Sequence, residues 1–221
     1  MAYIFHSRPA RRLLRPIFVA LVALIALSAW PATASAHPLG NFTVNRYSRL
    51  EPGASSVALL YVVDMAEIPA FQERPRIDGD DDGAISAAEH DAYLATETAA
   101  LRANLHLLAA NKPLSLTLRE STLEFPAGQG GLTTMRLTAR FEAPLGAAQG
   151  DWALEYRDDN FAGRLGWQEV IVRAGAGAEL LSSDVASQDQ SQELRAYPED
   201  MLQSPPTLNT ARFSFRPGAA G

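Results

Sequence analysis

The sequence reads DGDDDGAISAAE over residues 78–89, a pattern that predicts a helix on either side of it. Carboxylates alternate at loop positions 1, 3 and 5, a glycine follows at position 6, and a glutamate stands at position 12. Ca²⁺ takes roughly six to eight oxygen ligands, and a helix-loop-helix calcium site, the EF-hand, supplies them at this spacing. The predicted ligands are Asp78, Asp80, Asp82, the backbone carbonyl of Ala84, Ser86 and Glu89. The pattern therefore predicts one bound calcium ion.

Two residues of this loop favour an ion over an empty acidic turn. Gly83 permits the sharp reversal that a Cβ would resist, and Glu89 can reach back from the next helix with two oxygens. The alternative is a solvated turn without an ion, in which four carboxylates would repel each other. Because no second loop is available for pairing, we expect a weak affinity, on the order of 10⁻⁵ to 10⁻³ M. We therefore expect a structural role, in which calcium locks the inserted residues 66–103 against a β core.

The segments beside the loop have the composition of helices. Residues 65–74 fit a short helix that Pro69 and Pro75 limit to about two turns. Residues 87–103 are rich in alanine and have few helix breakers, and Ser86 can cap their start. The helix pair has too few residues to form a core of its own. We therefore predict an EF-hand inserted at about residues 65–103 of a larger domain.

Short segments with period-two alternation make up most of the remaining chain. Residues 41–50 and 57–63 predict a hairpin across a turn at residues 51–54, the second strand being buried on both faces. Further predicted strands cover residues 105–107, 114–118, 123–125, 133–141, 152–157, 168–173, 179–181 and 212–215. The predicted fold class is α+β, mainly β: an antiparallel, immunoglobulin-like β-sandwich with an inserted EF-hand.

Residues 1–36 have the three parts of a signal peptide: an arginine-rich start, an apolar run over residues 17–30, and the small residues Ala34 and Ala36 before a cleavage point. Cleavage after Ala36 makes His37 the first residue. The alternative is an uncleaved anchor, although about 14 apolar residues are short for a hydrocarbon core of about 30 Å. The predicted organisation is a signal peptide at residues 1–36, one domain at residues 37–216, and a tail or linker at residues 217–221. The predicted location is the periplasm or cell envelope.

The charge of the chain argues against a nucleic-acid partner. Residues 1–36 hold four arginines and no acidic residue, so removing them leaves 15 basic and 25 acidic residues and a formal charge of −10. An acidic surface repels nucleic acid. The mature part has no second apolar run long enough to cross a bilayer, and it has no cysteine for a disulfide.

His37 is a second candidate metal ligand. As the first residue it would offer an α-amino group beside its imidazole, and these nitrogens can chelate Ni²⁺, Co²⁺ or Cu²⁺. The alternative is a processing site that binds nothing. Further ligands would have to be His90, His106 or a carboxylate brought near by folding.

The sequence predicts no catalytic residue. It lacks a nucleophile triad, a phosphate-binding glycine loop and an H-E-x-x-H run. Asp158 and Asp159 read as a turn and not, with Asp64, as a catalytic carboxylate pair. His106 and His90 read as ordinary strand and helix residues.

Several stretches together resemble the extracytoplasmic N-terminal region of certain bacterial nickel/cobalt permeases. They are HPLGNFTVNRYS at residues 37–48, residues 61–69, the acidic loop, Tyr156 with GRLGW at residues 163–167, and YPED at residues 197–200. The likeness covers most of residues 37–206. It implies a domain that accompanies a membrane transporter for nickel or cobalt, either as a fragment of a longer permease or as a separate exported domain.

The first functional hypothesis is thus a non-catalytic, exported, calcium-binding domain that accompanies nickel or cobalt transport. Two alternatives stay open. One is a copper-dependent enzyme built on His37. The other is an interaction module of the cell envelope that binds a partner through the edge strands of its own sheets.

Overall fold

The computed structural model describes residues 37–146 and 150–218. The predicted signal peptide lies outside the described residues. The described chain is mainly β, with two five-stranded sheets and two α-helices. The strands are β1 Val44–Pro52, β2 Ser56–Met65, β3 Leu105–Ala109, β4 Lys112–Pro113, β5 Thr117–Glu124, β6 Met135–Pro144, β7 Trp152–Asp158, β8 Gln168–Val172, β9 Ala178–Ser183 and β10 Thr210–Pro217.

The first sheet has the strand order β5-β6-β2-β1-β8, and the second has the order β4-β3-β7-β10-β9. Strands β1 and β2 form the predicted antiparallel hairpin, with Val44 opposite Met65 and Pro52 opposite Val57. β1 extends to Pro52, so the connection begins two residues later than predicted. β2 is the central strand, and its residues from Leu59 onward are buried, as its apolar sequence predicts.

One pairing departs from the predicted antiparallel pattern. β8 runs parallel to β1, with Arg46 opposite Gln168 and Leu50 opposite Val172. A parallel neighbour needs a long crossover connection, and here the chain crosses most of the molecule between the two strands. The prediction of purely antiparallel sheets is therefore wrong at this edge.

The helices are α1, Glu67–Ile77, and α2, Ala87–Ala103. The bounds of α2 and its Ser86 cap match the sequence prediction. α1 is longer than predicted, because the chain stays helical through Pro75 and ends only at Ile77. Both helices bury residues against the sheets, among them Ala70, Ile77 and Tyr93.

Buried side chains from both sheets belong to one hydrophobic cluster, which includes Tyr61 and Phe141 of the first sheet and Leu107, Leu154 and Phe213 of the second. A smaller cluster lies around Tyr47 and Trp167. Among the described residues, no helix is both long enough and apolar enough to cross a membrane.

Candidate metal sites

The acidic loop lies between the end of α1 and the start of α2. Asp78 follows α1 directly, with its backbone N–H bonded to the carbonyl of Arg74. Gly83 has a φ of +84°, a left-handed conformation that a side chain resists, so glycine is required at the reversal that the sequence predicts. Asp81 also adopts a positive φ of 58°, which aspartate tolerates better than most residues. The backbone thus turns back on itself within a few residues.

Three carboxylates converge inside this turn. Ligand oxygens of Asp78, Asp80 and Asp82 all lie within 4.8 Å of one another. Asp78 is buried, whereas Asp80 and Asp82 are exposed. Asp78 is fixed by two backbone donors, since the N–H of Asp82 donates to Oδ1 at 3.2 Å and the N–H of Gly83 donates to Oδ2 at 3.0 Å. The loop therefore holds its first predicted ligand from both sides.

Glu89 closes the loop from the first turn of α2. Its Oε1 accepts from the backbone N–H of Gly79 at 2.7 Å and of Asp80 at 3.3 Å. Its Oε2 accepts from the backbone N–H of Ser86 at 2.9 Å and from the Ser86 hydroxyl at 2.7 Å, completing a capping box. These bonds, those from Ser86 first, lower the pKa of Glu89 to about 2. Glu89 is therefore an anion that reaches across to both ends of the loop.

All six predicted ligands lie in this turn, but only three of them belong to the carboxylate cluster. Asp78, Asp80 and Asp82 form the cluster. Glu89 lies beside it, with its oxygens engaged by backbone donors and by Ser86. Ala84 is held by its N–H, which donates to Asp82 Oδ1 at 2.8 Å.

The three carboxylates of the cluster repel one another in the absence of a cation. Two unit charges 4.8 Å apart interact by roughly 1 kcal/mol in water and by about 3 kcal/mol at an effective dielectric constant of 20. Three such pairs act against the fold at once. A divalent cation at their centre would turn this repulsion into attraction.

Side chains of the helices brace the loop. Arg74 of α1 donates to the carbonyl of Gly83. The hydroxyl of Tyr93 in α2 donates to Glu73 of α1 at 3.0 Å. Arg76 pairs with Glu97 across the helices at 2.8 Å. The loop is thus tied to both helices that flank it.

His37, the second candidate ligand, lies in a separate pocket and is only 9% exposed. Its Nε2 is 2.8 Å from Asp64 Oδ2 at the end of β2. Its ring lies 5.8 Å from that of Tyr197, whose hydroxyl donates to the same Asp64 oxygen at 3.4 Å. A cavity of about 360 Å³ opens beside these groups, with Arg136 and Arg195 in its wall. Asp64 is thus the carboxylate that folding brings beside His37.

The other two histidines lie elsewhere. His90 contacts the carbonyl of Leu123 at 3.1 Å and Asp91 at 3.0 Å, and these contacts raise its pKa, that to Asp91 most. Its side chain is half-buried. His106 lies 3.2 Å from Asp159. Neither contacts His37 in the described structure, so of the further ligands that the sequence left open, only the carboxylate lies beside it.

Asp64 and Asp158 have different partners. Asp158 is buried beside Arg46 at 3.4 Å and accepts from the Tyr61 hydroxyl, and burial raises its pKa. It ends β7 and leads into the predicted turn. Sequence reasoning missed this buried pair, and it missed the partners of His37. Arg46 lies in a strand that reads as half-buried, and nothing in the local pattern distinguishes it from a surface arginine.

A scan of the chain against protein-family models matches no family, and a search of curated proteins finds no match. The function of the chain is therefore inferred from its sequence pattern and from the geometry of these two sites.

Proposed function

We propose that this chain is an exported, non-catalytic domain that binds one calcium ion in an EF-hand, inserted into a β-sandwich. The observation that carries the proposal is the convergence of Asp78, Asp80 and Asp82 within 4.8 Å, at the positions of a calcium loop. The sandwich is supported by the single hydrophobic cluster that draws side chains from both sheets.

The ligand set favours calcium over other cations. Carboxylate, hydroxyl and carbonyl oxygens suit hard cations, whereas nickel, copper and zinc prefer nitrogen or sulfur. Mg²⁺ demands near-ideal octahedral geometry and keeps several waters, while Ca²⁺ accepts the irregular shell that a flexible loop supplies. Glu89 completes the shell by turning its carboxylate from the backbone donors to the ion.

The ion's role is structural. Calcium would remove the repulsion among the three aspartates and hold the ends of α1 and α2 together. The helices already contact each other through Tyr93 and Glu73 and through Arg76 and Glu97. The buried residues Ile77 and Tyr93 join the helix pair to the core, so ordering the loop also stabilises the packing against the sheets.

Calorimetric titration of the mature protein with CaCl₂ tests the proposal. We expect one site per chain with an affinity on the order of 10⁻⁵ to 10⁻³ M, little response to Mg²⁺, and loss of the heat in Glu89→Gln. Glu155→Gln is the matched control, because Glu155 is an acidic residue of β7 outside the loop. Equal heats in wild type and Glu89→Gln would refute the proposal.

The wider role we propose is to accompany a nickel or cobalt transporter of the cell envelope, as the resemblance of residues 37–206 implies. This part of the proposal is tested in cells of the source organism. Deleting the coding region for this domain should change nickel or cobalt accumulation, whereas Glu155→Gln should not.

A further inference from the structure

The two ring nitrogens of His37 differ in their contacts: Nε2 pairs with a carboxylate, whereas Nδ1 has no close hydrogen-bond donor. An Nε2 that carries the proton donates to Asp64 Oδ2 at 2.8 Å. Such a nitrogen cannot also accept from the amide of Asn45, which lies 3.1 Å away and donates instead to the backbone carbonyl of Asp64 at 3.2 Å. Nδ1 then holds a lone pair.

Nothing described donates to that lone pair. The nearest hydroxyl contact of Nδ1 is Thr43 Oγ1 at 3.5 Å, a long distance for a hydrogen bond. The single proton of that hydroxyl is already donated to the carbonyl of Gly40 at 3.1 Å. A histidine that is 9% exposed therefore presents an acceptor without a donor among the described residues.

Cleavage after Ala36 would place a second nitrogen donor on the same residue. The α-amine and Nδ1 of one histidine can close a six-membered ring around a metal ion, whereas Nε2 points away from its own backbone. Asp64 thus engages the nitrogen that cannot chelate and leaves open the one that can. A metal-bound histidine characteristically donates its other ring N–H to a carboxylate in this manner.

The geometry points to a second metal site, formed by the α-amine and Nδ1 of His37 and oriented by Asp64, for a divalent transition metal such as Ni²⁺, Co²⁺ or Cu²⁺. The inference rests on the proposed export and cleavage, and not on the calcium loop. Two protein nitrogens leave further coordination positions open, and His37 lines a cavity of about 360 Å³. Water or a donor from a partner fills them, so the ion can be handed on.

The charges around the cavity moderate the affinity. Arg136 lies opposite Asp64 in the β2–β6 register, and Arg195 lines the same cavity. Two positive side chains near a dication weaken its binding. Removing the exposed one, Arg195, should therefore strengthen cation binding several-fold, whereas it would weaken a site for an anion.

Titration with Ni²⁺ and Cu²⁺ in saturating calcium tests the inference, using protein whose first residue is verified as His37 by mass spectrometry. The key variant starts five residues earlier, at Ala32, because a single added residue would itself supply a terminal amine and a backbone nitrogen that chelate Cu²⁺ together with Nδ1. It loses the α-amine but keeps the ring contacts, which form in a chain that still has residues before His37. We expect one site in the wild type, loss of that site in the extended protein, and two nitrogen ligands in the electron spin resonance spectrum of the Cu²⁺ form.

Three further variants complete the design. Asp64→Asn should weaken binding about 10- to 100-fold, as loss of an orienting carboxylate does. Arg195→Gln should tighten it several-fold, and the double variant His90→Gln/His106→Gln should leave it unchanged. Equal binding by the extended protein, or no binding by the wild type, would overturn the inference. Either result leaves calcium binding intact, so it is distinguishable from failure of the calcium proposal.

Discussion

Replacing Asp80 with asparagine should stabilise the protein when calcium is absent and should halve the stability that calcium adds. Asp80 is exposed and accepts one loop hydrogen bond, from the N–H of Asp82 at 3.2 Å, which an amide oxygen can also accept. The substitution is nearly isosteric, and asparagine is accepted at this position of calcium loops. It therefore removes one charge and little else.

The magnitude follows from the spacing of the carboxylates. Asp80 repels Asp78 and Asp82, each within 4.8 Å, by roughly 1 kcal/mol per pair in water. Physiological salt, with a Debye length of about 8 Å, reduces the sum to about 1 kcal/mol. In chelator, Asp80→Asn should therefore raise the free energy of unfolding by about 1 kcal/mol.

In calcium, the variant should lose this advantage over the wild type. With a dissociation constant on the order of 10⁻⁴ M, about 10 mM calcium stabilises the wild type by about 2.7 kcal/mol. A tenfold weaker site in Asp80→Asn gains only about 1.4 kcal/mol under the same conditions. The calcium-dependent gain should thus fall by about half.

Urea unfolding followed by the fluorescence of Trp167 and Trp152 measures both quantities, in chelator and in calcium. Trp167 is fully buried, so it reports on the core. If the loop were a solvated acidic turn, Asp80→Asn would stabilise the protein equally in both conditions. That equality would refute the reasoning.

Further substitutions also have defined outcomes. The pKa of Glu89 is lowered from 4.5 to about 2, so its contribution to stability is present above pH 4.5 and is lost as the pH falls toward 2. In chelator, the difference in unfolding free energy between wild type and Glu89→Gln should therefore shrink as the pH falls through this range. Gly166→Ala should cost at least ~2 kcal/mol, because φ is +148° and the added Cβ would lie 2.4 Å from a backbone oxygen of β1. Gly163→Ala, with a positive φ but open space, should cost only about 1 kcal/mol in the same urea assay. Asp158→Ala should lower the free energy of unfolding by about 3 to 5 kcal/mol, because it leaves Arg46 buried and unpaired. The double variant Arg46→Ala/Asp158→Ala should lower it by less than the two single changes combined.

Local patterns in the sequence predicted the elements that local physics controls. The capping residue Ser86 and the alanine-rich run after it predicted α2 to the residue, because a helix start depends on a few neighbouring side chains. The apolar run of β2 predicted a strand buried on both faces. The end of α1 was misplaced, because Pro75 limits the residue before it but does not prevent one further turn when Ile77 is buried in the core.

Contacts between distant segments could not be predicted in the same way. The parallel pairing of β8 with β1 depends on the path of the chain across the sheet, which no local pattern records. The same holds for the partner of His37, since Asp64 is 27 residues away in the sequence. The acidic loop was predictable because all its proposed ligands lie within twelve consecutive residues.

The most direct test of the calcium proposal is a crystal structure of the mature protein grown with calcium, with an anomalous difference map collected at long wavelength. We expect one peak between α1 and α2, about 2.3 to 2.6 Å from oxygens of Asp78, Asp80, Asp82, Ala84 and Glu89, with Ser86 bound directly or through water. A map in which the loop is ordered but holds only water would contradict it.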